Sequence, residues 1–211
     1  QAEDGIRDYK VTGVQTCALP IYGTNLEYLK SFCDYWVHDY DWRTHEAKIN
    51  RFDHFKVPVD GLDVHYIHER GSGPSPMPLI ISHGWPGSVV EFLDVIEPLA
   101  HPERFGGDVA DAFEVIAPSL LGFGFSGRPP RPYGPRKIAG VFAELMGDVL
   151  GLDGYLAQGG DWGGAISTWL GFDHAPACRA QSSADDTGPS DPFEPCKSAD
   201  RRSEEHTSEL Q

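Results

Sequence analysis

Long apolar runs are missing from this chain. No window holds the ~18 consecutive hydrophobic residues that a membrane-spanning helix needs, so no membrane span is expected. Cationic charge is scarce too: 17 Lys and Arg stand against 32 Asp and Glu, a formal net charge of −15. A surface of that sign repels phosphate backbones, which argues against a nucleic-acid partner. Cysteine is sparse, and Cys17, Cys33, Cys178 and Cys196 have neither the spacing of a metal site nor the density of a disulfide framework. The first ten residues, Gln1–Lys10, are polar and acidic, with no apolar stretch behind a basic start, so they do not read as a secretory leader. What is present suits one ordinary globular domain. The 211 residues are 40% hydrophobic and 23% charged, enough for a sizeable core. These features predict a soluble, acidic, cytoplasmic protein.

Both ends read poorly as parts of that domain. Arg202–Thr207 is encoded by the DNA string AGATCGGAAGAGCACACGT, and Thr16–Ile21 by its reverse complement. Unrelated hexapeptides are rarely codable by the two strands of one duplex, so residues 1–21 and 202–211 are assigned to translated sequencing-library adapter and set aside from the fold. From Gln181 to Arg201 the hydrophobic pattern stops and the text turns rich in Pro, Ser and Asp, as after a slip of reading frame. The expected divisions are therefore an adapter-like tail at 1–21, an N-terminal segment at 22–60, a core at 61–180 and a frame-shifted, adapter-like tail at 181–211. A sheet cut at 180 would leave the outer edge of its last strand open.

Within Tyr22–Ala180 the periodicities alternate. Leu26, Leu29 and Phe32 recur at helical spacing, and Trp42, Ala47 and Ile49 do so more loosely, predicting two short helices. Leu62, Val64 and Tyr66 alternate with polar neighbours, as in a half-buried strand. Leu79–Ser82 and Phe113–Pro118 are compact apolar runs of the kind buried on both faces of a sheet. Val89, Phe92, Leu93, Ile96 and Leu99 make one helical stripe, Val141–Leu150 another, and Ala165–Phe172 a third. Tyr155–Gln158 reads as a further strand. Strands alternating with helical stretches imply an α/β fold with a mostly parallel sheet.

The sharpest motif is Gly159-Gly160-Asp161-Trp162-Gly163-Gly164, placed between a strand and a helix. It has the form of a nucleophile elbow with aspartate in the position more often held by serine. Reversing from strand to helix in so few residues strains the backbone at Asp161 and requires small neighbours. The turn lifts the carboxylate towards the amides of a helix N-terminus, which keep it ionised and usable as a nucleophile. A plain glycine-rich turn with an N-cap aspartate is the simpler alternative. A second motif tips the balance: His83-Gly84-Trp85-Pro86-Gly87-Ser88 follows one strand and precedes a helix. In hydrolase folds the loop at this place supplies one of two backbone donors for an oxyanion. The N–H groups of Trp85 and Trp162 are therefore the candidate oxyanion hole. His83 is read as a satisfied structural histidine and is assigned no proton transfer.

The text of both motifs and their surroundings (YDWRTHEAKINRFDHFK, DGLDVHYIHE, ISHGWPGSVVEFLDVIEPL, GGDVADAFEVIAPSLLGFGFSGRP and LAQGGDWGGAISTWLGFDH) resembles the microsomal-type epoxide hydrolases of the α/β-hydrolase superfamily. The resemblance includes their N-terminal segment and covers about three-quarters of the chain. It implies an N-terminal half of an α/β-hydrolase fold behind a helical segment. It further implies that Asp161 attacks an epoxide carbon to give an alkyl-enzyme ester, with Trp85 and Trp162 holding the oxyanion when water cleaves that ester. A small apolar epoxide and water would be the partners, and no cofactor or metal is called for.

Such enzymes also use a histidine to activate water, an acid to orient it, and cap tyrosines to protonate the epoxide oxygen, all later in the chain than the nucleophile. After Asp161 only His174 and His206 occur, and no tyrosine follows Tyr155. The chain is therefore expected to be incomplete and inactive as it stands. A haloalkane dehalogenase, which uses a similar aspartate–tryptophan elbow, is the rival enzyme; a noncatalytic fragment is the rival from another class. Among weaker features, Trp36, Trp42, Phe52 and Phe55 read as packing aromatics. Arg128–Pro132 reads as a rigid surface loop, Cys33 and Cys178 as inert buried thiols, and Asp108–Glu114 as a solvated loop.

Overall fold

The structure, a computed structural model, describes residues 24–183. Two compact units meet in sequence between Glu46 and Ala47. In the first, α1 (Leu26–His38) opens on Asn25, whose side chain accepts the Glu27 and Tyr28 amides at 3.0 Å each, the standard device for satisfying first-turn donors. Tyr28, Phe32 and Trp36 form a ladder along this helix, with ring centroids 6.3 and 6.2 Å apart. None of the residues of α1 is buried. Cys33 is exposed rather than buried, and Trp36 and Trp42 are exposed aromatics. The expectation of a buried thiol therefore fails for Cys33, while Trp36 packs against Phe32 at the surface. The helix α2 (Trp42–Ile49) follows.

The second unit is a sheet sandwiched by helices. A strand that the sequence pattern did not reveal, β1 (His54–Val59), pairs antiparallel with β2 (Leu62–Glu69). Asp60 and Gly61 between them both have positive φ, 48° and 74°, the backbone of a two-residue hairpin turn matched to strand twist. The boundary expected at 60/61 thus falls inside a hairpin. The remaining strands are β3 (Met77–Ser82), β4 (Phe113–Pro118), β5 (Tyr155–Gly159) and β6 (Cys178–Ser183). The order is β1-β2-β4-β3-β5-β6, antiparallel across β1, β2 and β4 and parallel from β4 to β6.

Both faces of the central strands are covered, which is why their sequences read as continuous apolar runs. Ile80 and Ile116 pack on one side with Phe142, Met146 and Leu170. Leu79, Ile81, Val115 and Ala117 pack on the other with Ile96 and Val89. The helices are α3 (Ile96–Ala100), α4 (Pro135–Glu144), which widens into a π turn over Leu145–Val149, and α5 (Trp162–Asp173).

Three expectations need correction. The single helical stripe from Val89 to Leu99 is split into a 3₁₀ turn (Val89–Phe92) and α3. Pro98 has no N–H to donate to the Asp94 carbonyl, so one continuous helix would lose a bond there. The Asp108–Glu114 stretch is not all solvated loop: Glu114 lies in β4 with Oε1 2.7 Å from His68 Nε2. Finally, β6 runs three residues past the boundary expected at 180, with Ala157, Gln158 and Gly159 of β5 opposite Gln181, Ser182 and Ser183. An edge strand is held by backbone hydrogen bonds and needs no apolar alternation. The outer edge of β5 is therefore paired, not open. No helix among the described residues is long and apolar enough to cross a membrane.

Candidate active site

Two strand ends build the site. In the parallel pair β3/β5, Ser82 stands opposite Gly159, so the loops that leave these strands emerge side by side. Asp161 follows β5 with φ 53° and ψ −123°, a conformation that costs a non-glycine residue strain energy. The glycines around it are required by contact. A Cβ on Gly163 would lie 1.8 Å from the Ser82 carbonyl oxygen, and one on Gly159 would lie 2.3 Å from the Gly163 carbonyl carbon. A Cβ on Gly84 would meet Asp161 Oδ1 at 2.7 Å. Helix α5 can thus start directly above the β3 end only because these positions lack side chains.

The loop after β3 contains a cis Trp85–Pro86 peptide. Ser88 and Glu91 form a reciprocal capping box at the start of the 3₁₀ turn, a signature present in the sequence as Ser-x-x-Glu. Ahead of that turn the Trp85 N–H donates to Asp161 Oδ1 at 2.8 Å. The structure therefore brings all three predicted site residues, Asp161, Trp85 and Trp162, to one place. The Trp85 amide, and after it the Trp162 amide, hold the Asp161 carboxyl below the usual carboxylate range. Hydrogen bonds donated to the charged form favour ionisation.

His83 is buried, 1% exposed. Its Nε2 accepts the Leu120 backbone N–H at 3.0 Å, and its Nδ1 lies 2.9 Å from the Gly84 carbonyl oxygen. Burial pushes its pKa down. Both ring nitrogens are engaged by backbone, in keeping with a structural role. Beside Trp85 and Trp162 opens a cleft of about 1000 Å³, walled by Leu120, Phe123 and Tyr133 and by the Arg128–Pro132 segment. That segment is a cleft wall, not only a surface loop. Asp161 itself borders a smaller hollow of about 270 Å³ with the His83–Gly87 loop and Phe92. His174 lies at the end of α5, where its N–H closes the last turn onto Leu170. Phe52 is buried in the sheet core, whereas Phe55 is exposed. Among the described residues no cluster of three His, Cys, Asp or Glu side chains could hold a metal ion.

The mixed sheet, parallel from β4 to β6, and the strained turn after β5 are those of an α/β hydrolase, and residues 77–192 match the alpha/beta hydrolase fold family. The chain belongs to that family. Within it the relatives are epoxide hydrolases. Residues 6–92 match the epoxide hydrolase N terminus, and the two matched spans overrun the boundaries expected at 21 and 180. Epoxide hydrolase 1 of Oryctolagus cuniculus is 40% identical over 152 residues, covering 70% of this chain and 33% of that protein. Juvenile hormone epoxide hydrolase 2 of Ctenocephalides felis is 42% identical over 149 residues, covering 69% of this chain and 31% of that protein. The crystal structure of juvenile hormone epoxide hydrolase from Bombyx mori superposes with TM-score 0.68 at 33% identity, over 77% of this chain and 38% of that one. Aspergillus niger epoxide hydrolase gives 0.67 at 33% identity, over 80% and 45%. The chain spans about one third of the length of the curated relatives it matches.

Proposed function

We propose that the chain carries the nucleophilic half of an epoxide hydrolase site and that Asp161 is its nucleophile. The bond from the Trp85 amide to Asp161 Oδ1 is the observation that supports this most strongly. It engages Oδ1, and in this reading Oδ2 is the attacking oxygen. Oδ2 adds to an epoxide carbon as the ring C–O bond breaks, and the ring oxygen departs as an alkoxide that takes a proton from water. Oδ1 is then the carbonyl oxygen of the alkyl-enzyme ester. When water attacks the ester carbon, negative charge develops on Oδ1, where the Trp85 amide already donates, and the Trp162 amide donates to the same carboxyl group. Donors placed before charge develops need no reorganisation, which is what makes such a hole effective. Collapse of the intermediate releases diol and regenerates the carboxylate. The apolar wall of the adjoining cleft suits an apolar epoxide.

The same reading makes the chain as given a single-turnover species. Attack uses Asp161 with water as the proton source in place of a tyrosine, but ester cleavage requires a base to activate water, and losing one typically costs ~10²–10⁴-fold. In an enzyme of this class that completes the cycle, one turnover in heavy-oxygen water is the test. The first diol formed should carry unlabelled oxygen taken from the nucleophilic carboxylate. Full labelling of that first diol would mean that water attacks the epoxide directly, and the ester mechanism would fall.

A further inference from the structure

The Trp85 amide is aimed from behind. The Gly84 carbonyl and the Trp85 N–H belong to one planar peptide group and point to opposite sides of it. Anchoring the carbonyl on one side therefore directs the amide on the other. The anchor is His83, with Nδ1 2.9 Å from the Gly84 oxygen. Its opposite nitrogen, Nε2, faces the Leu120 backbone N–H at 3.0 Å, and a backbone N–H can only donate. Nε2 is thus an acceptor, the neutral ring carries its proton on Nδ1, and Nδ1–H donates to the Gly84 carbonyl. The ring has almost no contact with solvent, so water does not compete for either bond.

The donor that fixes this tautomer is itself clamped. Leu120 follows Ser119, which is fully buried. Ser119 Oγ is 2.9 Å from His65 Nδ1, His65 Nε2 is 2.8 Å from His54 Nδ1, and His54 Nε2 is 2.9 Å from the Ile49 carbonyl oxygen. The roles follow from the far end. A carbonyl only accepts, so His54 donates from Nε2 and accepts at Nδ1. His65 then donates from Nε2 and accepts the Ser119 hydroxyl proton at Nδ1. Ser126 closes the loop, its Oγ donating to the Ser119 carbonyl and accepting the His65 amide at 2.8 and 3.0 Å. Buried, fully satisfied networks of this kind rigidify what they touch.

We propose that His83 is a positioning residue for the Asp161 chemistry, its tautomer set by the Leu120 amide, which the Ser119–His65–His54 chain holds in place. The proposal rests on the reading of Asp161 as nucleophile. His83 touches neither substrate nor the reacting oxygens; it acts through the Gly84–Trp85 peptide. The Trp85 amide, and after it the Trp162 amide, lower the Asp161 pKa, opposed by desolvation. Glu91 and His83 are the other titratable side chains lining the hollow beside it. Loosening the Trp85 amide therefore removes the largest of the lowering causes.

The test is the pH profile of ester formation in the 211-residue chain, followed by intact mass after mixing with a small apolar epoxide such as styrene oxide. His83→Leu cannot donate to Gly84. The account expects the acid limb of its profile to move to higher pH, because the carboxylate loses part of the hydrogen bonding that favours its ionised form. His83→Asn places an amide donor near the Nδ1 position and should restore the limb. Ser119→Ala leaves the oxyanion loop untouched; its limb should move the same way by a smaller amount, and it provides the reading should His83→Leu not fold. An acid limb unmoved in every folded variant, or one displaced equally in His83→Leu and His83→Asn, overturns the positioning role. Absence of any ester on the unsubstituted chain overturns the nucleophile reading instead, so the two failures are distinct.

Discussion

The Trp85 amide nitrogen lies 2.8 Å from Asp161 Oδ1, across 76 residues of sequence. The contact is made by strand register: Ser82 of β3 and Gly159 of β5 are opposite one another in the parallel pair, and three further residues on one side and two on the other bring Trp85 and Asp161 together. A one-residue slip between β3 and β5 would turn side chains to the wrong face and separate the amide from the carboxylate. The site is thus a property of the sheet, and the glycines around it keep the two loops at bonding distance.

Glycine substitutions should separate contact from flexibility. Gly163→Ala drives a Cβ to 1.8 Å from the Ser82 carbonyl oxygen, so it should destabilise by at least the ~1–3 kcal/mol typical of overpacking. Gly140, inside α4, has nothing within 4 Å of its would-be Cβ. Gly140→Ala should therefore stabilise by about 0.4–1 kcal/mol through lower unfolded-state entropy and better helix propensity. Urea midpoints of the two variants against the parent sequence check both signs. Equal effects would contradict the close-packing argument.

Acid should weaken the fold through His65. Burial, and then the nearby His54 and Lys56, push its pKa from 6.5 down to about 4. The unfolded chain therefore binds a proton between those values that the folded chain refuses. Stability is full above about pH 6.5 and falls as the pH drops towards about 4. In His65→Leu this contribution to the slope should vanish, although overall stability drops because Ser119 and His54 lose a partner. Thermal melts from pH 7.5 to 4 would show it; an unchanged slope in the variant would exclude His65 as the sensor.

The tryptophan side chains should matter less than their amides. Asp161 is held by the Trp85 backbone N–H, which Trp85→Phe and Trp162→Phe retain. Ester formation from an epoxide should keep the parent's acid limb and stay within about threefold of its rate, because the amide donors that favour the ionised carboxylate are unchanged. A dehalogenase would respond differently, since its halide is held by an indole N–H. Stopped-time mass measurements with an epoxide and with a chloroalkane decide it. A chloroalkane ester that forms readily and is lost in Trp162→Phe would favour the dehalogenase.

Much of this was legible in the residues. The elbow and the His83–Ser88 loop carry their function in local sequence, because glycine spacing and a strand–turn–helix context determine what the backbone can do there. The central strands were legible because burial on both faces leaves an uninterrupted apolar run, as in Leu79–Ser82. The failures have physical reasons too. His54–Val59 alternates poorly because β1 is an edge strand with a solvated face and a proline at 58. Gln181–Ser183 looked like the end of the fold because an edge strand can be polar. The helix after β3 was read as continuous because a hydrophobic stripe does not register the donor missing at Pro98. The chain from Ile49 through His54, His65 and Ser119 to His83 had no local signal, since it joins residues whose proximity only the sheet creates.

The most direct test of the account is to mix the 211-residue chain with an excess of a small apolar epoxide and follow covalent mass and diol together, with Asp161→Asn alongside. The account predicts a gain of one epoxide mass per chain, mapped by peptide fragmentation to Asp161, persistent after removal of excess reagent, absent from Asp161→Asn, and accompanied by no diol beyond one equivalent. Sustained diol production by the chain, or an adduct that maps to another residue and survives in Asp161→Asn, would contradict it.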